Sequence, residues 1–324
     1  MRAIRIHHIG APDVMRLEDV EPPPPPGPGQ ARVRHRAIAV NYLDVYYRTG
    51  FYPPPPYPFT PGNEGAGEVV AVGKGVKGFK PGDRVAYVST LGSYAEERNV
   101  EVKHLLKLPK SMSYATAAAM MMKGLTAQCL LRQTYKVKNG DVILVHAAAG
   151  GVGQILCQWG KALGATVIAT VGSPEKAAIA KKCGAKHVIL YREEDFAVRV
   201  AEITKGAKCH VVYDGVGKAT FPASLDCLRP FGLLASFGSA SGGIEAFNLA
   251  LLAQKGSLFV TRPTLFTFLA DRARLDKMAR ELFAIVASGK VKIPPPAEAP
   301  LADAARVHAA LEARQTTGAI VLAP

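Results

Sequence analysis

The segment Asp141-Val-Ile-Leu-Val-His-Ala-Ala-Ala-Gly-Gly-Val-Gly153 carries the clearest chemical pattern in the chain. An apolar run gives way to a turn of small residues, and Val152–Leu163 then shows helical spacing. Strand, glycine turn and helix, in that order, are what a dinucleotide pyrophosphate requires. Small side chains let the backbone approach the phosphates, and the N–H groups opening the helix carry partial positive charge. Against the pattern G-x-G-x-x-G, Ala148, Gly150 and Gly153 hold the glycine positions, so alanine replaces the first. A plain glycine-rich turn in an α/β domain has the same composition; the residues that follow argue against it.

Residues 166–170 form a second apolar run. In an NAD-preferring fold an acidic residue about 20 positions beyond the glycines binds the ribose hydroxyls. Here Gly172 and Ser173 stand at that place, with Lys176 close behind. A carboxylate there would repel a 2′-phosphate, whereas a hydroxyl and an ammonium accept it through charge-assisted hydrogen bonds. Tyr191-Arg192, past the third run at 187–190, adds a second hydroxyl and a guanidinium. Solvated surface charge explains Lys176 or Arg192 singly. Their placement at successive strand ends predicts NADPH as the cofactor.

These residues need a scaffold. Strands are expected at 141–146, 166–170, 187–190, 209–213, 231–236 and 257–261, with helices in most gaps. That alternation describes an α/β fold with a doubly wound parallel sheet. The first 120 residues are rich in Val, Gly and Pro, with turn signals at Gly73-Lys74-Gly75 and Pro81-Gly82-Asp83, and read as mostly β. The tail reads as helices at 271–288 and 302–313 and a closing strand at 318–322 that returns to the first domain. Expected boundaries are 1–122, an inserted 123–262 dinucleotide domain, and 263–324 as the return segment. The proline runs Pro22–Pro26 and Pro53–Pro56 read as stiff extended loops.

Composition narrows the function classes. The 324 residues are 48% hydrophobic, enough for one or two cores, and no apolar run reaches the roughly 20 residues of a membrane span. The five cysteines lack C-x-x-C spacing and suit reduced thiols, making the cytoplasm the expected location. The net charge of +14 raises nucleic-acid binding, but Lys and Arg are dispersed, and a basic enzyme for a polyanionic cofactor is the more economical reading.

The chain resembles the zinc-free NADPH:quinone oxidoreductase branch, which includes the zeta-crystallins, of the medium-chain dehydrogenase/reductase superfamily. The likeness runs end to end. It rests on Asn41-Tyr-Leu-Asp-Val-Tyr46, Arg48-Thr-Gly50, Gly62-Asn-Glu-Gly-Ala-Gly67, Gly78-Phe-Lys-Pro-Gly-Asp-Arg-Val85 and Lys123-Gly-Leu-Thr126. It continues in His146–Gly153, Tyr213-Asp-Gly-Val-Gly217 and Gly256-Ser-Leu-Phe-Val-Thr-Arg-Pro263. The resemblance implies a Rossmann domain inserted in a mostly-β groES-like catalytic domain, a cleft between the two, and a homodimer. It also implies an NADPH groove lined by Asn41, Thr126, Gly150, Gly151, Val152, Gly172, Ser173, Lys176, Tyr191, Phe237, Gly238 and Arg262. Arg314 is a weaker addition. Gly215 and Ala240 depart from the bacterial pattern, which often has polar side chains there.

Zinc-dependent relatives place a Cys and a His-Glu pair where this chain has Asn41 and Asn63-Glu64. Catalytic zinc takes about three N, S or carboxylate ligands, and Asn is a poor one, so no metal is expected. A quinone is an avid hydride acceptor whose reduced form spreads charge through its ring, so it needs positioning and modest hydrogen bonding rather than a Lewis acid. The expected function is therefore NADPH-dependent quinone reduction, by zinc-independent electron or hydride transfer from the nicotinamide. Asn41 and Tyr46 are the candidate catalytic contacts and Tyr52 the substrate wall. Reduction of the C=C bond of enals or enones, and a zeta-crystallin-like RNA-binding role, are the competing readings.

Overall fold

The computed structural model describes residues 1–324. It divides into two units: Met1–Met122 with Ile293–Pro324, and Lys123–Lys292. No helix is long and apolar enough to cross a membrane.

The first unit is built on the strand Gln30–Val40. Its amino-terminal half alternates buried and accessible positions, and its last four residues are all buried. It pairs antiparallel with Glu64–Val72, and that strand pairs with Arg84–Val88. At its other edge Glu97–Glu101 covers the first half and Ile320–Ala323 the second, with Ile320 opposite Val40. The carboxyl-terminal strand thus completes a sheet begun near the amino terminus. Ile4, Ile6, Ile38, Phe59 and Leu322 form one core, and Val33, Val69, Val85, Tyr87 and Leu105 another.

The expected return segment from 263 is divided. Residues 263–292 cluster with the second unit, and only Ile293–Pro324 with the first. The reason is packing. The helix Arg272–Ala287 buries Leu275, Met278 and Leu282. Leu282 lies so close to Gly124 that a Cβ there would come within 2.6 Å of its Cδ1.

The second unit holds a six-stranded sheet, all parallel. Its order is His187–Leu190, Thr166–Val171, Val142–Val145, Cys209–Asp214, Leu228–Ser236, Phe259–Thr261. This is the doubly wound Rossmann arrangement, with strands where the apolar runs predict them. Strands covered by helices on both faces read as continuous apolar runs rather than alternating ones, which is why the sequence exposes them so plainly. Chain order reverses between Val142–Val145 and Cys209–Asp214. In open α/β sheets, ligands bind beyond the carboxyl ends of the strands at such a switch point.

Candidate active site

The strand Val142–Val145 delivers the glycine turn to that switch point, and the helix Gly151–Ala162 begins immediately after it. Gly150 is the residue before the helix, and Gly151 and Val152 form its first turn, so their N–H groups open the helix. Gly153 is required by contact rather than by backbone angle. A Cβ there would lie 2.4 Å from the Ala147 carbonyl oxygen and 2.7 Å from Ala148 Cα. A Cβ at Gly150 would meet only the same oxygen, at 3.2 Å. The loop lies directly on the helix, which leaves no room for a side chain at 153.

The next two strands end together. Ser173 caps the helix Pro174–Lys182, its hydroxyl accepting from the Lys176 N–H at 3.4 Å. A Cβ at Gly172 would fall 2.8 Å from the Tyr191 hydroxyl and 3.4 Å from Arg192 Nε. Gly172, Ser173, Lys176, Tyr191 and Arg192 therefore converge at one corner of the sheet. The Ser173 hydroxyl also holds the exposed Glu175 carboxyl below its ordinary value.

Further along the sheet two loops interlock. The Asp214 Oδ1 accepts from the N–H groups of Val216, at 2.7 Å, and Gly217, at 3.1 Å. A side chain at Gly215 would start 3.0 Å from the Phe237 ring, so the missing polar group at 215 makes room for that ring. A Cβ at Gly238 would meet the Gly215 carbonyl oxygen at 2.5 Å. Arg262 donates to the Gly238 carbonyl at 2.8 Å and to Ser239 Oγ at 3.1 Å. Its guanidinium braces the Phe237-Gly238 loop. Thr126 lies on the helix Tyr114–Gln128, away from these loops in sequence.

His146 follows the strand Val142–Val145. It is buried, and it is also the centre of a polar network. Its Nδ1 lies 2.8 Å from Thr170 Oγ1 and its Nε2 3.1 Å from Ser224 Oγ. Ser224 and Thr220 both donate to Asp214 Oδ2, at 3.3 and 2.6 Å. Ser, His and Asp are all present, but the carboxylate touches the serine rather than the imidazole, and Ser224 is fully buried. The network fixes the turns after two strands and is not a nucleophile. Burial lowers the His146 pKa, against the pull of Asp214.

In the first unit, Asn41 precedes the helix Tyr42–Thr49. Its N–H donates to Asp44 Oδ2 at 2.8 Å and its side-chain amide to Glu64 Oε2 at 2.8 Å. The other Glu64 oxygen accepts the Met122 N–H at 2.6 Å. Tyr46, on the same helix, is nearly buried among aromatic rings: Phe51 at 5.0 Å, Tyr52 at 5.1 Å and Tyr42 at 5.4 Å between centroids. Phe51 is 46% exposed, so the cluster presents an aromatic face to solvent. Arg314 follows the helix Ala304–Glu312 with a left-handed backbone.

Behind that helix lies a buried layer that sequence reasoning misses. Tyr94 donates to Asp44 Oδ2 at 3.0 Å and lies 3.0 Å from His308 Nε2. The fully buried Arg48 pairs with Glu312 and donates to the Gly10 carbonyl. Burial, then the Arg48 charge, pushes the His308 pKa down to about 3, so its ring is neutral. Burial together with Asp44 drives the Tyr94 phenol well above 10. No local pattern announces partners more than 200 residues apart.

Comparison with known proteins settles the family. The alcohol dehydrogenase GroES-like domain matches residues 27–110, and the zinc-binding dehydrogenase domain matches 151–281. A quinone oxidoreductase of Pseudomonas aeruginosa is 51% identical, over 100% of this chain and 99% of its own. The chain belongs to the quinone oxidoreductase family of medium-chain dehydrogenases. Within that family, the Escherichia coli quinone oxidoreductase crystallised with NADPH superposes with a TM-score of 0.98 at 46% identity, covering 100% of both chains. A 2-haloacrylate reductase of Burkholderia is 44% identical over 98% of both chains.

Proposed function

We propose that this protein is an NADPH:quinone oxidoreductase, converting a quinone, NADPH and a proton to a hydroquinone and NADP+. The observation that carries the reading is the corner where Gly172, Ser173 and Tyr191 meet, with two hydroxyls where an NAD site has a carboxylate and Lys176 in the first turn of the helix that Ser173 caps. Relatives named quinone oxidoreductase over the full chain support the acceptor. Bound there, the cofactor supplies a hydride.

The chain's own residues bind and orient. Gly150, Gly151 and Val152 offer the helix-start N–H groups to the pyrophosphate, and Ser173, Lys176 and Tyr191 hold the 2′-phosphate. Gly172 keeps that corner open. Phe237 and Gly238, braced by Arg262, form a further wall of the groove, and Thr126 is assigned to its nicotinamide end. On the first unit, the aromatic face around Tyr46 and Tyr52 suits a planar acceptor, with Asn41 and the Tyr46 hydroxyl as hydrogen-bonding groups to its oxygen.

The Asn41–Glu64 pair supports chemistry without zinc. Asn41 could offer a metal only its neutral amide oxygen, which takes the Asp44 N–H in the capping box, and both Glu64 oxygens already accept N–H groups. The residues present do not fit a catalytic zinc. We place the enzyme in the cytoplasm as a homodimer joined along the edge strand Phe259–Thr261. There Phe259 is 60% exposed and the neighbouring Phe231 69% exposed. Sedimentation is expected to give a dimer, and Val260→Pro to give a monomer; a wild-type monomer would reject the interface.

Reduction of a conjugated C=C bond is the second reading, favoured by the likeness to the 2-haloacrylate reductase. It requires a placed proton donor, whereas a quinone draws its proton from water readily. Tyr46→Phe separates the two. We expect kcat with quinones to fall less than about fivefold, against the 10²–10⁴-fold typical of losing a general acid. A collapse of that larger size with an enone that is turned over faster than any quinone would favour the second reading.

A further inference from the structure

We infer that Tyr94 and His308 are positioning residues for Asn41, acting through Asp44 from behind the helix Tyr42–Thr49. The inference rests on the role of Asn41 proposed above. Its basis is a directed chain of buried hydrogen bonds. A phenol has one hydrogen, and Tyr94 gives it to Asp44 Oδ2. The same oxygen takes the Asn41 N–H, as an ionised carboxylate does. His308 Nε2, at 3.0 Å, must then carry the hydrogen donated to the Tyr94 oxygen. That assignment leaves Nδ1 as a bare nitrogen, and Nδ1 is the His308 atom with no partner.

The chain continues forward from Asn41. Its amide donates to Glu64, whose second oxygen is held by the Met122 N–H. Asn41 is thus held from both sides: by Asp44, through the reciprocal capping box, and by Glu64, through its side-chain amide. The Asp44 end depends on a histidine in the carboxyl-terminal helix Ala304–Glu312. Removing the Tyr94 hydroxyl takes one donor from Asp44 Oδ2 and loosens the carboxylate that holds the Asn41 N–H, so Asn41 shifts. Small misplacements of a contact group cost up to about a hundredfold in rate.

Two measurements test this on the full-length protein. The first is the ¹⁵N–¹H spectrum of the His308 ring, expected to show Nε2 protonated. An Nδ1–H tautomer would reverse the chain and overturn the inference. The second is a double-mutant cycle of Tyr94→Phe with Asn41→Ala, read as kcat and KM for a quinone together with thermal stability. Tyr94→Phe alone is expected to lower kcat by about tenfold to a hundredfold and to leave the NADPH dissociation constant within about twofold. In the Asn41→Ala background it should lower kcat no further. Equal losses in both backgrounds would mark Tyr94 as merely structural and overturn the inference. If Tyr94→Phe does not fold, His308→Gln against His308→Leu repeats the cycle, since glutamine keeps a donor near Nε2 and leucine does not. Only the glutamine variant should retain activity, and equal losses would again overturn the inference. Should Asn41→Ala itself leave quinone turnover unchanged, the site proposed above fails first, and the positioning role fails with it.

Discussion

Gly153→Ala is expected to lower NADPH affinity by at least about tenfold and to destabilise the fold by about 1–3 kcal/mol, the range for overpacking a filled site. The added methyl would sit 2.4 Å from the Ala147 carbonyl oxygen and 2.7 Å from Ala148 Cα. Both are backbone atoms of the turn proposed to hold the pyrophosphate, so no side-chain rotation relieves the clash. Either the helix Gly151–Ala162 moves away from the turn or the turn moves into the space the phosphates need. Gly150→Ala separates the two effects. Its methyl meets one protein oxygen at 3.2 Å, so the fold should lose less than about 1 kcal/mol, while NADPH affinity should still fall because the methyl stands where the backbone approaches the phosphates. Trp159, the single tryptophan, lies buried on the same helix, so its fluorescence serves both titrations. Unchanged NADPH affinity in both variants would show that the turn does not bear on the phosphates.

Lys176→Ala is expected to weaken NADPH binding by about tenfold or more while NADH binding changes by less than about twofold. A hydrogen bond to a charged group contributes about 1.5–3 kcal/mol, and the half-buried, solvent-reached position of Lys176 argues for the lower end. Ser173 and Tyr191 remain in that variant, so preference for NADPH should shrink and not vanish. Comparing dissociation constants for the two cofactors isolates the 2′-phosphate, the one group by which they differ. An unchanged ratio would remove Lys176 from the account.

The Rossmann sheet was legible because its strands are buried on both faces and therefore appear as uninterrupted apolar runs between helices. The glycine turn was legible for a related reason: close backbone approach admits few residue types. The sheet of the first unit was less so. Gln30–Val40 alternates in its first half and is buried throughout its second, a change imposed by the strand Ile320–Ala323 arriving from the other end of the chain. The tail's division at Ile293 depends on Leu282 meeting Gly124, a contact no local pattern encodes. Most of the candidate site was named from motif positions, yet the groups holding it were not. The family resemblance puts Arg262 in the groove, and no local pattern announces that it also braces the Gly238 loop. Asp44, Tyr94 and His308 carry no motif, because a buried hydrogen-bond chain is defined by which atoms meet and not by spacing.

Passage of reducing equivalents from NADPH to a quinone without a metal is open to direct observation. Its most direct test follows NADPH absorbance after adding purified, chelator-treated protein to the cofactor with and without a 1,4-quinone. Oxidation is expected only when both protein and quinone are present, at a rate at least about tenfold higher with NADPH than with NADH. No quinone-dependent oxidation, or activity that appears only when zinc is restored, would contradict it.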